Sequence, residues 1–257
     1  MKNIAILTGA SSGIGRCFAE TLSSHGEYDE VWVIARNAER LSELSAVVPF
    51  PLRPLSLDLS LDESYETLEH LLSEEKPRVA LLINCAGYGK FGAFEGLTLR
   101  ENVGMIDLNC RALTAISYIA LPYMDRGCEI VNVASVAAFQ PIPYIGVYGA
   151  SKAYVLSFSR ALAREVGKRG VRVFAVCPFW TRTRFFDRAI DPEKETVVKH
   201  YAAMYEPSYI VRYTWKAMKN KKRDYCIPGA AAKAQVVAVK LLPHKLRMSV
   251  WQMQQKL

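Results

Sequence analysis

The chain alternates short apolar runs with longer stretches in which apolar residues recur at helical spacing. The runs are rich in β-branched residues, which is typical of strands buried on both faces of a sheet. Strands and helices that alternate in this order predict an α/β domain with a parallel sheet and right-handed crossovers. The predicted strands are residues 2–8, 31–35, 52–59, 79–83, 129–134, 171–176 and 224–229, and the predicted helices are residues 16–25, 37–47, 61–73, 99–123 and 148–168.

The composition favours a folded protein of the reducing cytoplasm. Of the 257 residues, 51% are hydrophobic and 23% are charged, which allows a large core and argues against disorder. The six cysteines include no CxxC pair, so we expect reduced thiols and neither a disulfide framework nor a metal site. The first apolar run is too short for a signal peptide, and no apolar run is long enough to span a membrane.

A glycine-rich turn follows the first strand at once. The residues from Thr8 to Gly15 read Thr-Gly-Ala-Ser-Ser-Gly-Ile-Gly and lead into a helical pattern. Glycine permits close backbone approach, and the amides and dipole at a helix N-terminus attract a pyrophosphate. We therefore favour a dinucleotide site over a plain strand-to-helix turn. The residues expected to form it are Thr8, Gly9, Ser11, Ser12, Gly13, Ile14 and Gly15.

The end of the second strand is expected to meet the adenosine ribose of that dinucleotide. Ala35 is neutral there and Arg36 follows, and a guanidinium suits a 2′-phosphate. The sequence thus favours NADP(H) over NAD(H), although Arg36 could also simply cover the end of the sheet. Asp58, at the end of the third predicted strand, is expected to accept a hydrogen bond from the adenine amino group. The residues after the fourth strand that are expected to contact the cofactor are Asn84, Ala86 and Gly87.

Four polar residues are candidates for the chemistry. Tyr148 and Lys152 lie four positions apart and so share one face of a helix, where an ammonium lowers the pKa of a phenol. Such a pair is also common on ordinary helix surfaces. Ser135 follows the fifth strand. Asn109 lies within a predicted helix, where asparagine competes for backbone groups; it is either functional or a buried residue bonded to its own backbone.

These features together resemble the short-chain dehydrogenase/reductase (SDR) family, in its single-domain branch. The resemblance covers about residues 3–185 and 205–228. It implies a doubly wound, seven-stranded parallel sheet with helices on both faces, a Rossmann-like single domain over residues 1–229 with a substrate loop at about 181–207. The residues that carry it are Thr8-Gly9-x3-Gly13-x-Gly15, Asn84-x-Ala86-Gly87, Asn109, Ser135 and Tyr148-x3-Lys152.

The resemblance implies a role for each catalytic candidate. Tyr148 is the general acid in reduction and the base in oxidation, and Lys152 lowers its pKa and binds the nicotinamide ribose. Ser135 holds the substrate oxygen, and Asn109 positions a water in a proton relay through Lys152. Tyr148 and Lys152 are accordingly also expected to contact the cofactor. An apolar, medium-sized ketone, aldehyde or secondary alcohol is the implied substrate.

The region after the sixth strand departs from the family pattern. Phe179 stands where the family usually has glycine, which leaves the contact to the nicotinamide carboxamide open, while Thr183 keeps the usual threonine position. Pro178 and Thr183 are expected to contact the cofactor. Arg182, Arg184 and Arg188 either clamp an acidic group or the cofactor phosphates, or are solvated. The expected substrate contacts are Tyr88, Phe139, Tyr144 and Trp180.

The C-terminal end carries the positive charge of the protein. The net charge is +8, and residues 211–257 contain eleven Lys or Arg and one acidic residue. This end is either a solvated basic surface or a contact for an acidic partner. Within it, residues 230–257 form a basic amphipathic tail, for which packing on the protein's own core or on a second subunit is favoured over contact with a membrane surface. A homo-oligomer is expected and a nucleic-acid partner is not.

The favoured function is an NADP(H)-dependent oxidoreductase that transfers hydride between nicotinamide and a carbonyl compound or alcohol. The alternative is a catalytically silent sensor or scaffold protein that binds NADP(H). A complete set of Asn109, Ser135, Tyr148 and Lys152 favours the enzyme, because a pure binding protein needs no proton donor.

Overall fold

Seven parallel strands form one sheet in the order β3-β2-β1-β4-β5-β6-β7. The structure is a computed structural model that describes residues 1–191, 193 and 196–256. The order reverses between β1 and β4, and in such sheets a crevice opens at the carboxyl ends of the strands at that point. The strands are β1 (Asn3–Thr8), β2 (Glu30–Ala35), β3 (Leu52–Ser56), β4 (Arg78–Asn84), β5 (Glu129–Val133), β6 (Arg172–Val176) and β7 (Tyr225–Cys226).

Helices cover both faces of the sheet, as the doubly wound fold requires. Along β1, Ala5 and Leu7 join the core on one face, which contains Phe18 and Trp215, while Ile4 and Ile6 join the core on the other face. The helices are α1 (Gly13–Glu20), α2 (Ala38–Ser42), α3 (Asp62–Glu75), α4 (Leu99–Ile106), α5 (Ala112–Ala120), α6 (Gly146–Val166), α7 (Phe185–Ala189), α8 (Pro207–Met218), α9 (Ala230–Leu241) and α10 (His244–Gln255).

The predicted elements are present, but several have different bounds. The helix predicted over 99–123 is divided by a π-helical turn at Asp107–Arg111 between α4 and α5. The third strand was predicted to reach residue 59 but ends at Ser56. The seventh strand was predicted over residues 224–229 but consists of two residues, Tyr225 and Cys226. These strands end where the chain turns into the crevice or into a loop. Apolar periodicity alone does not locate that point.

The last two helices pack against the rest of the domain. The Trp251 indole is buried and donates a hydrogen bond to the carbonyl of Pro143 at 3.0 Å. The buried Gln255 amide accepts from the backbone N–H groups of Lys199 and His200 at 2.8 and 2.9 Å, and donates to the carbonyl of His200 at 3.1 Å. The C-terminal segment therefore ties together the loop before α6 and the loop before α8. Among the described residues, no helix combines the length and apolarity needed to cross a bilayer.

Glu129 anchors the amino end of the sheet. Its buried carboxylate lies 2.6 Å from His25 Nε2 and 3.1 Å from both Arg172 Nη1 and Lys221 Nζ. Burial by itself raises the pKa of Glu129, but the hydrogen bonds and charges of His25 and Lys221 outweigh it and hold that pKa at about 2. The ion cluster joins β5, β6 and the turn after α8.

Replacing Glu129 by glutamine should weaken the fold in a pH-dependent way. Because the folded pKa lies below the ordinary value of 4.5, the stabilisation is present above that pH and is lost as the pH falls towards about 2. The wild type should lose about 3 kcal/mol of unfolding free energy relative to Glu129→Gln across that window, at about 1.4 kcal/mol per tenfold change in proton affinity. Urea denaturation at successive pH values measures this, with the exposed Glu39→Gln as the control. A difference between wild type and Glu129→Gln that is independent of pH would contradict the assignment.

Candidate active site

The glycine turn after β1 lies against the loop after β4. Gly9 and Gly13 have φ of +69° and +56°, which favour glycine. A β-carbon on Gly9 would lie 2.8 Å from the backbone nitrogen of Ala86, and one on Gly15 would collide with the carbonyl of Gly9. Only glycine at these positions lets α1 begin directly at the crevice.

A cleft of about 1080 Å³ runs from this turn along the carboxyl ends of β1, β2 and β4. Ser12 caps α1 without a side-chain hydrogen bond, so the first-turn N–H groups remain available to a phosphate. The length of the cleft, the glycine cradle and these amides fit a nicotinamide dinucleotide. The predicted cofactor residues that line it are Gly9, Ser11, Ser12, Gly13, Ile14, Gly15, Arg36, Asp58, Ala86, Gly87, Tyr148, Lys152 and Thr183.

Thr8 was predicted as a cofactor contact, but its hydroxyl is used inside the protein. The buried Thr8 Oγ1 accepts hydrogen bonds from the backbone N–H groups of Cys85 and Ala86, both at 3.0 Å, and lies 3.4 Å from the carbonyl oxygen of Ile83, to which it donates. It fastens the end of β1 to the loop after β4. Thr8 thus shapes the wall of the cleft without lining it.

Asn84 and Pro178 also lie outside the cofactor cleft. The Asn84 amide is buried and donates to Ser117 Oγ at 3.0 Å and to Asn132 Oδ1 at 2.9 Å, so it points to the face of the sheet that α5 covers. Pro178 lines the neighbouring pocket instead. Consecutive side chains at the end of a strand alternate between the two faces, which a motif match does not resolve.

Arg36 and Asp58 face each other across one end of the cleft. Arg36 Nη1 lies 4.0 Å from Asp58 Oδ2, and the guanidinium is largely exposed. Asp58 accepts hydrogen bonds from the backbone nitrogen and the hydroxyl of Ser60, at 3.0 and 2.7 Å. Burial tends to raise the pKa of Asp58, but these hydrogen bonds and the charges of Arg36 and Arg188 hold it below its usual value. The carboxylate is therefore ionised, with one oxygen already bonded to Ser60.

Tyr148 and Lys152 lie on α6, one turn apart, at the junction of β4 and β5. Lys152 Nζ donates to the carbonyl of Val133 at 2.9 Å and lies 5.8 Å from the centre of the Tyr148 ring. A β-carbon on Gly87 would lie 3.4 Å from that nitrogen, so glycine there keeps the ammonium accessible from the cleft. Ser135, at the end of β5, accepts from the backbone nitrogen of Ala137 at 3.1 Å.

The electrostatics of this pair differ from the prediction that Lys152 draws down the pKa of the phenol. Burial raises the pKa of Tyr148 to about 12, and the hydrogen bond with Ser135 acts against that rise. Burial also lowers the pKa of Lys152 to about 8. At neutral pH Tyr148 is therefore protonated and Lys152 remains mostly charged, and within the chain it is Ser135 that favours the phenolate.

Asn109 is buried within the π-helical turn between α4 and α5. Its Oδ1 accepts from the Tyr88 backbone nitrogen at 3.0 Å, and its Nδ2 donates to the Tyr88 carbonyl at 2.8 Å and to Ser151 Oγ at 2.9 Å. It is thus neither bonded to its own backbone nor solvated. Asn109 fixes the loop after β4 beside Lys152, and π-turns occur often at functional sites.

A second, smaller pocket of about 120 Å³ adjoins the cleft at Tyr148. Ser135 and Tyr148 lie on its wall, and none of the described lining residues is charged. Gln235 of α9 and Trp251 of α10 also line it, and motif matching missed both because they lie in the least family-like part of the chain. The aromatic residues that line it are Tyr148, Phe179, Trp180, Phe185, Phe186 and Trp251.

Of the four predicted substrate contacts, only Trp180 lines this pocket. Tyr88 lines the cofactor cleft. Phe139 packs against Tyr225 and against buried residues of α9. Tyr144 has φ of +64°, and its carbonyl accepts from the backbone nitrogen of Gly92 at 2.8 Å. Loop conformation determines where these side chains lie, and the aromatic content of the sequence alone does not predict it.

The family model for short chain dehydrogenases matches residues 3–194 of the chain. The 3-ketodihydrosphingosine reductase of Bacteroides thetaiotaomicron is 30% identical over 249 residues, which cover 95% of this chain and 87% of that protein. The short-chain dehydrogenase from Sphingobium yanoikuyae, solved in complex with NADPH, is 30% identical with a TM-score of 0.79, over 93% of this chain and 92% of its own.

A third relative bears on the fold alone. The short chain dehydrogenase/reductase from Burkholderia phymatum, solved in complex with NAD, has a TM-score of 0.77 at 24% identity and covers 91% of this chain and 92% of its own. Proteins of this fold have thus been solved with NADPH and with NAD.

Replacing Lys152 by methionine should change the pH dependence of stability. Because the folded pKa is about 8 and the ordinary value is 10.5, the unfolded chain holds one more proton between those pH values. The wild type should gain about 3 kcal/mol of unfolding free energy relative to Lys152→Met as the pH rises through that window, at about 1.4 kcal/mol per tenfold change in proton affinity. Urea denaturation between pH 7 and pH 11 tests this, with the exposed Lys168→Met as the control. Parallel pH profiles for all three proteins would show that Lys152 is not a destabilised ammonium.

Proposed function

The chain belongs to the short-chain dehydrogenase family, and on that premise we propose that it is an NADP(H)-dependent oxidoreductase acting on an uncharged carbonyl compound or the matching alcohol. One observation carries the proposal: Tyr148 lines both the dinucleotide cleft and the uncharged pocket. A proton donor shared by the two cavities is what hydride transfer to a carbonyl carbon requires, because negative charge then develops on the carbonyl oxygen.

Each side chain around Tyr148 has a separate role in the proposed reaction. The nicotinamide, when bound, supplies or accepts the hydride. Tyr148 donates its phenolic proton to the carbonyl oxygen in reduction and takes it back in oxidation, and Ser135 provides a second hydrogen bond to the same oxygen. Lys152 supplies positive charge beside the phenolate that forms, and Asn109 holds the adjacent loop through the backbone of Tyr88. Tyr148 is half-buried between the two cavities, so a bound substrate and nucleotide would shield these donors from water.

Arg36 supports a preference for NADP(H). It stands directly after β2 with an exposed guanidinium, so it is free to form charge-assisted hydrogen bonds with a 2′-phosphate. Asp58 does not reverse that preference, because Ser60 already donates to one of its oxygens and Arg36 and Arg188 lie near it. The Sphingobium yanoikuyae relative was solved with NADPH, which agrees with the proposal.

The small pocket supports an uncharged, largely apolar substrate. Its described lining residues include no lysine or arginine that would pair with a carboxylate, sulfonate or phosphate. Burying an unpaired anion there would cost several kcal/mol, so charged substrates are disfavoured. Its aromatic walls instead suit a flat or branched apolar body beside the reacting carbonyl. The keto group in the name of the Bacteroides thetaiotaomicron relative agrees with this class of reaction.

The surface of the chain supports a homo-oligomer. Leu99, Val103 and Ile106 are exposed at one-turn spacing along α4 and form an apolar stripe, and Tyr118 and Tyr154 are exposed on the neighbouring helices α5 and α6. Exposed apolar side chains on neighbouring helices are typical of a subunit interface. The six cysteines are free, which supports a location in the reducing cytoplasm.

Tyr148→Phe should separate binding from turnover. The variant keeps the ring that packs in the site but has no proton to give, so kcat/KM with NADPH should fall by about 10²- to 10⁴-fold while NADPH affinity stays within about twofold. Steady-state kinetics over a panel of uncharged ketones and aldehydes, together with fluorescence titration of NADPH, measure both. Tyr154→Phe is the matched control, because it removes a hydroxyl that bonds only to Thr114 on the outer side of α6.

Two results would contradict the enzyme. If the wild type binds NADPH but turns over no member of the panel in either direction, the protein is a binding protein of the sensor or scaffold kind. If Tyr148→Phe retains full turnover, another group donates the proton.

Arg36→Asp should reverse the cofactor preference. The substitution replaces a partner for the 2′-phosphate by a carboxylate that repels it and that accepts from the ribose hydroxyls of NAD(H). The ratio of kcat/KM for NADPH to that for NADH should fall by at least about tenfold, which corresponds to about 1.4 kcal/mol. Arg164→Asp, an equal charge change at an exposed position of α6, serves as the control. An unchanged ratio in Arg36→Asp would mean that the 2′-phosphate binds elsewhere.

A further inference from the structure

The short helix α7 stands between the two cavities. Phe185, its first residue, lines both the dinucleotide cleft and the uncharged pocket. Its ring centre lies 5.4 Å from that of Tyr148, and a β-carbon on Gly89 would contact both rings. Any movement of α7 must therefore move the ring that packs against the proposed proton donor.

Arg188, three residues after Phe185 on the same helix, lines only the dinucleotide cleft. Its Cζ lies 3.4 Å from the centre of the Tyr88 ring, a close cation–π contact. Tyr88 is itself fixed, because Asn109 bonds to both its backbone nitrogen and its carbonyl. The guanidinium thus rests on a rigid platform in the cleft wall.

The charge of Arg188 is only partly balanced, by Asp58 beyond ion-pair distance and by the hydroxyl of Tyr88. Within the described part of the chain it forms no salt bridge, whereas Arg182 and Arg184 on the same loop pair with Glu206 and Asp187 at 2.9 and 3.1 Å. Burial lowers the pKa of Arg188, but not far enough to remove a proton at neutral pH. A half-buried guanidinium with no described carboxylate at ion-pair distance can form charge-assisted hydrogen bonds with an added anion.

Arg188 shares its surroundings with Arg36 and Asp58. Both residues act electrostatically on Arg188: the charge of Arg36 disfavours its charged form, and the charge of Asp58 favours it. Two guanidinium groups and one carboxylate leave a net positive charge at this end of the cleft, and Ser60 already donates to that carboxylate. An incoming phosphate would relieve the repulsion between the two arginines, which come from β2 and from the substrate loop on opposite sides of the cleft.

We propose that Arg188 binds a phosphate group of the dinucleotide from the side of the substrate loop, and that this contact couples nucleotide binding to the position of Phe185 beside Tyr148. The inference rests on the proposed dinucleotide site. The phosphate is either the 2′-phosphate or the second phosphate of the pyrophosphate, and both share the chemistry that a guanidinium recognises. Binding of the correct nucleotide would then hold α7, and with it Phe185, in place beside Tyr148.

Three adenosine ligands distinguish the two phosphates without any turnover. Calorimetric titration with 5′-AMP, adenosine 2′,5′-bisphosphate and ADP-ribose would be compared between the wild type and Arg188→Gln. If Arg188 binds the 2′-phosphate, the variant should lose about tenfold in affinity for the bisphosphate only; if it binds the pyrophosphate, the loss should be confined to ADP-ribose. Arg182→Gln, on the same loop but paired with Glu206, should match the wild type with all three ligands.

Arg188→Lys checks that the effect comes from charge and not from lost packing. Lysine keeps the positive charge but not the stacking on Tyr88, so it should recover part of the affinity that glutamine loses. Equal weakening of all three ligands by Arg188→Gln, or no weakening of any, would overturn the proposal. Failure of the wild type to bind NADPH at all would instead refute the dinucleotide site, so the two failures are distinguishable.

Limited chymotrypsin digestion tests the coupling itself. Saturating NADP⁺ should protect the bonds after Phe185 and Phe186 in the wild type and in Arg182→Gln, because α7 is then held in place. In Arg188→Gln the same bonds should stay susceptible even when the nucleotide site is saturated. Equal protection in all three proteins would show that the loop position does not depend on Arg188.

Discussion

The close approach of the Gly9 turn to the backbone of Ala86 is the contact on which the rest of the site depends. It occurs where the strand order reverses between β1 and β4, and it leaves no room for a β-carbon on Gly9. Thr8 reinforces it with hydrogen bonds to two backbone nitrogens of the neighbouring loop. Because both sides of the crevice are held this way, α1 can begin at the edge of the cleft with its amides free for a phosphate.

Burial is the second constraint on the site, because it changes the proton affinities of Tyr148 and Lys152. Lys152 is buried and Tyr148 is half-buried, and the loss of hydration disfavours the charged form of each. The phenol then keeps its proton until a developing negative charge on a substrate oxygen, in the proposed reaction, makes transfer favourable. Lys152 Nζ donates to the carbonyl of Val133, and in the proposed reaction its charge would also act on the phenolate and on a ribose hydroxyl.

The walls of the uncharged pocket come from segments far apart in the chain. Trp251 of α10 reaches the loop before α6, and Gln255 holds the backbone of His200 in the loop before α8. The C-terminal helices therefore line the pocket through Gln235 and Trp251 and also hold the loop before α8. Substrate selection would then depend on the tail as well as on the loop that contains α7.

The sequence by itself determined the sheet, its parallel strands and the set Ser135, Tyr148 and Lys152, because apolar runs and short spacings are local properties. It also placed Arg36 correctly at the end of β2. The tertiary structure decided which side chains at the strand ends turn into the cleft. Thr8 binds the loop that forms the cleft wall, Asn84 donates to Ser117 away from the cleft, and Pro178 lines the uncharged pocket. It also decided that Phe139 packs under α9 while Trp251 and Gln235 line the pocket. These outcomes depend on loop conformation and on contacts between distant segments, which no local pattern of residues encodes.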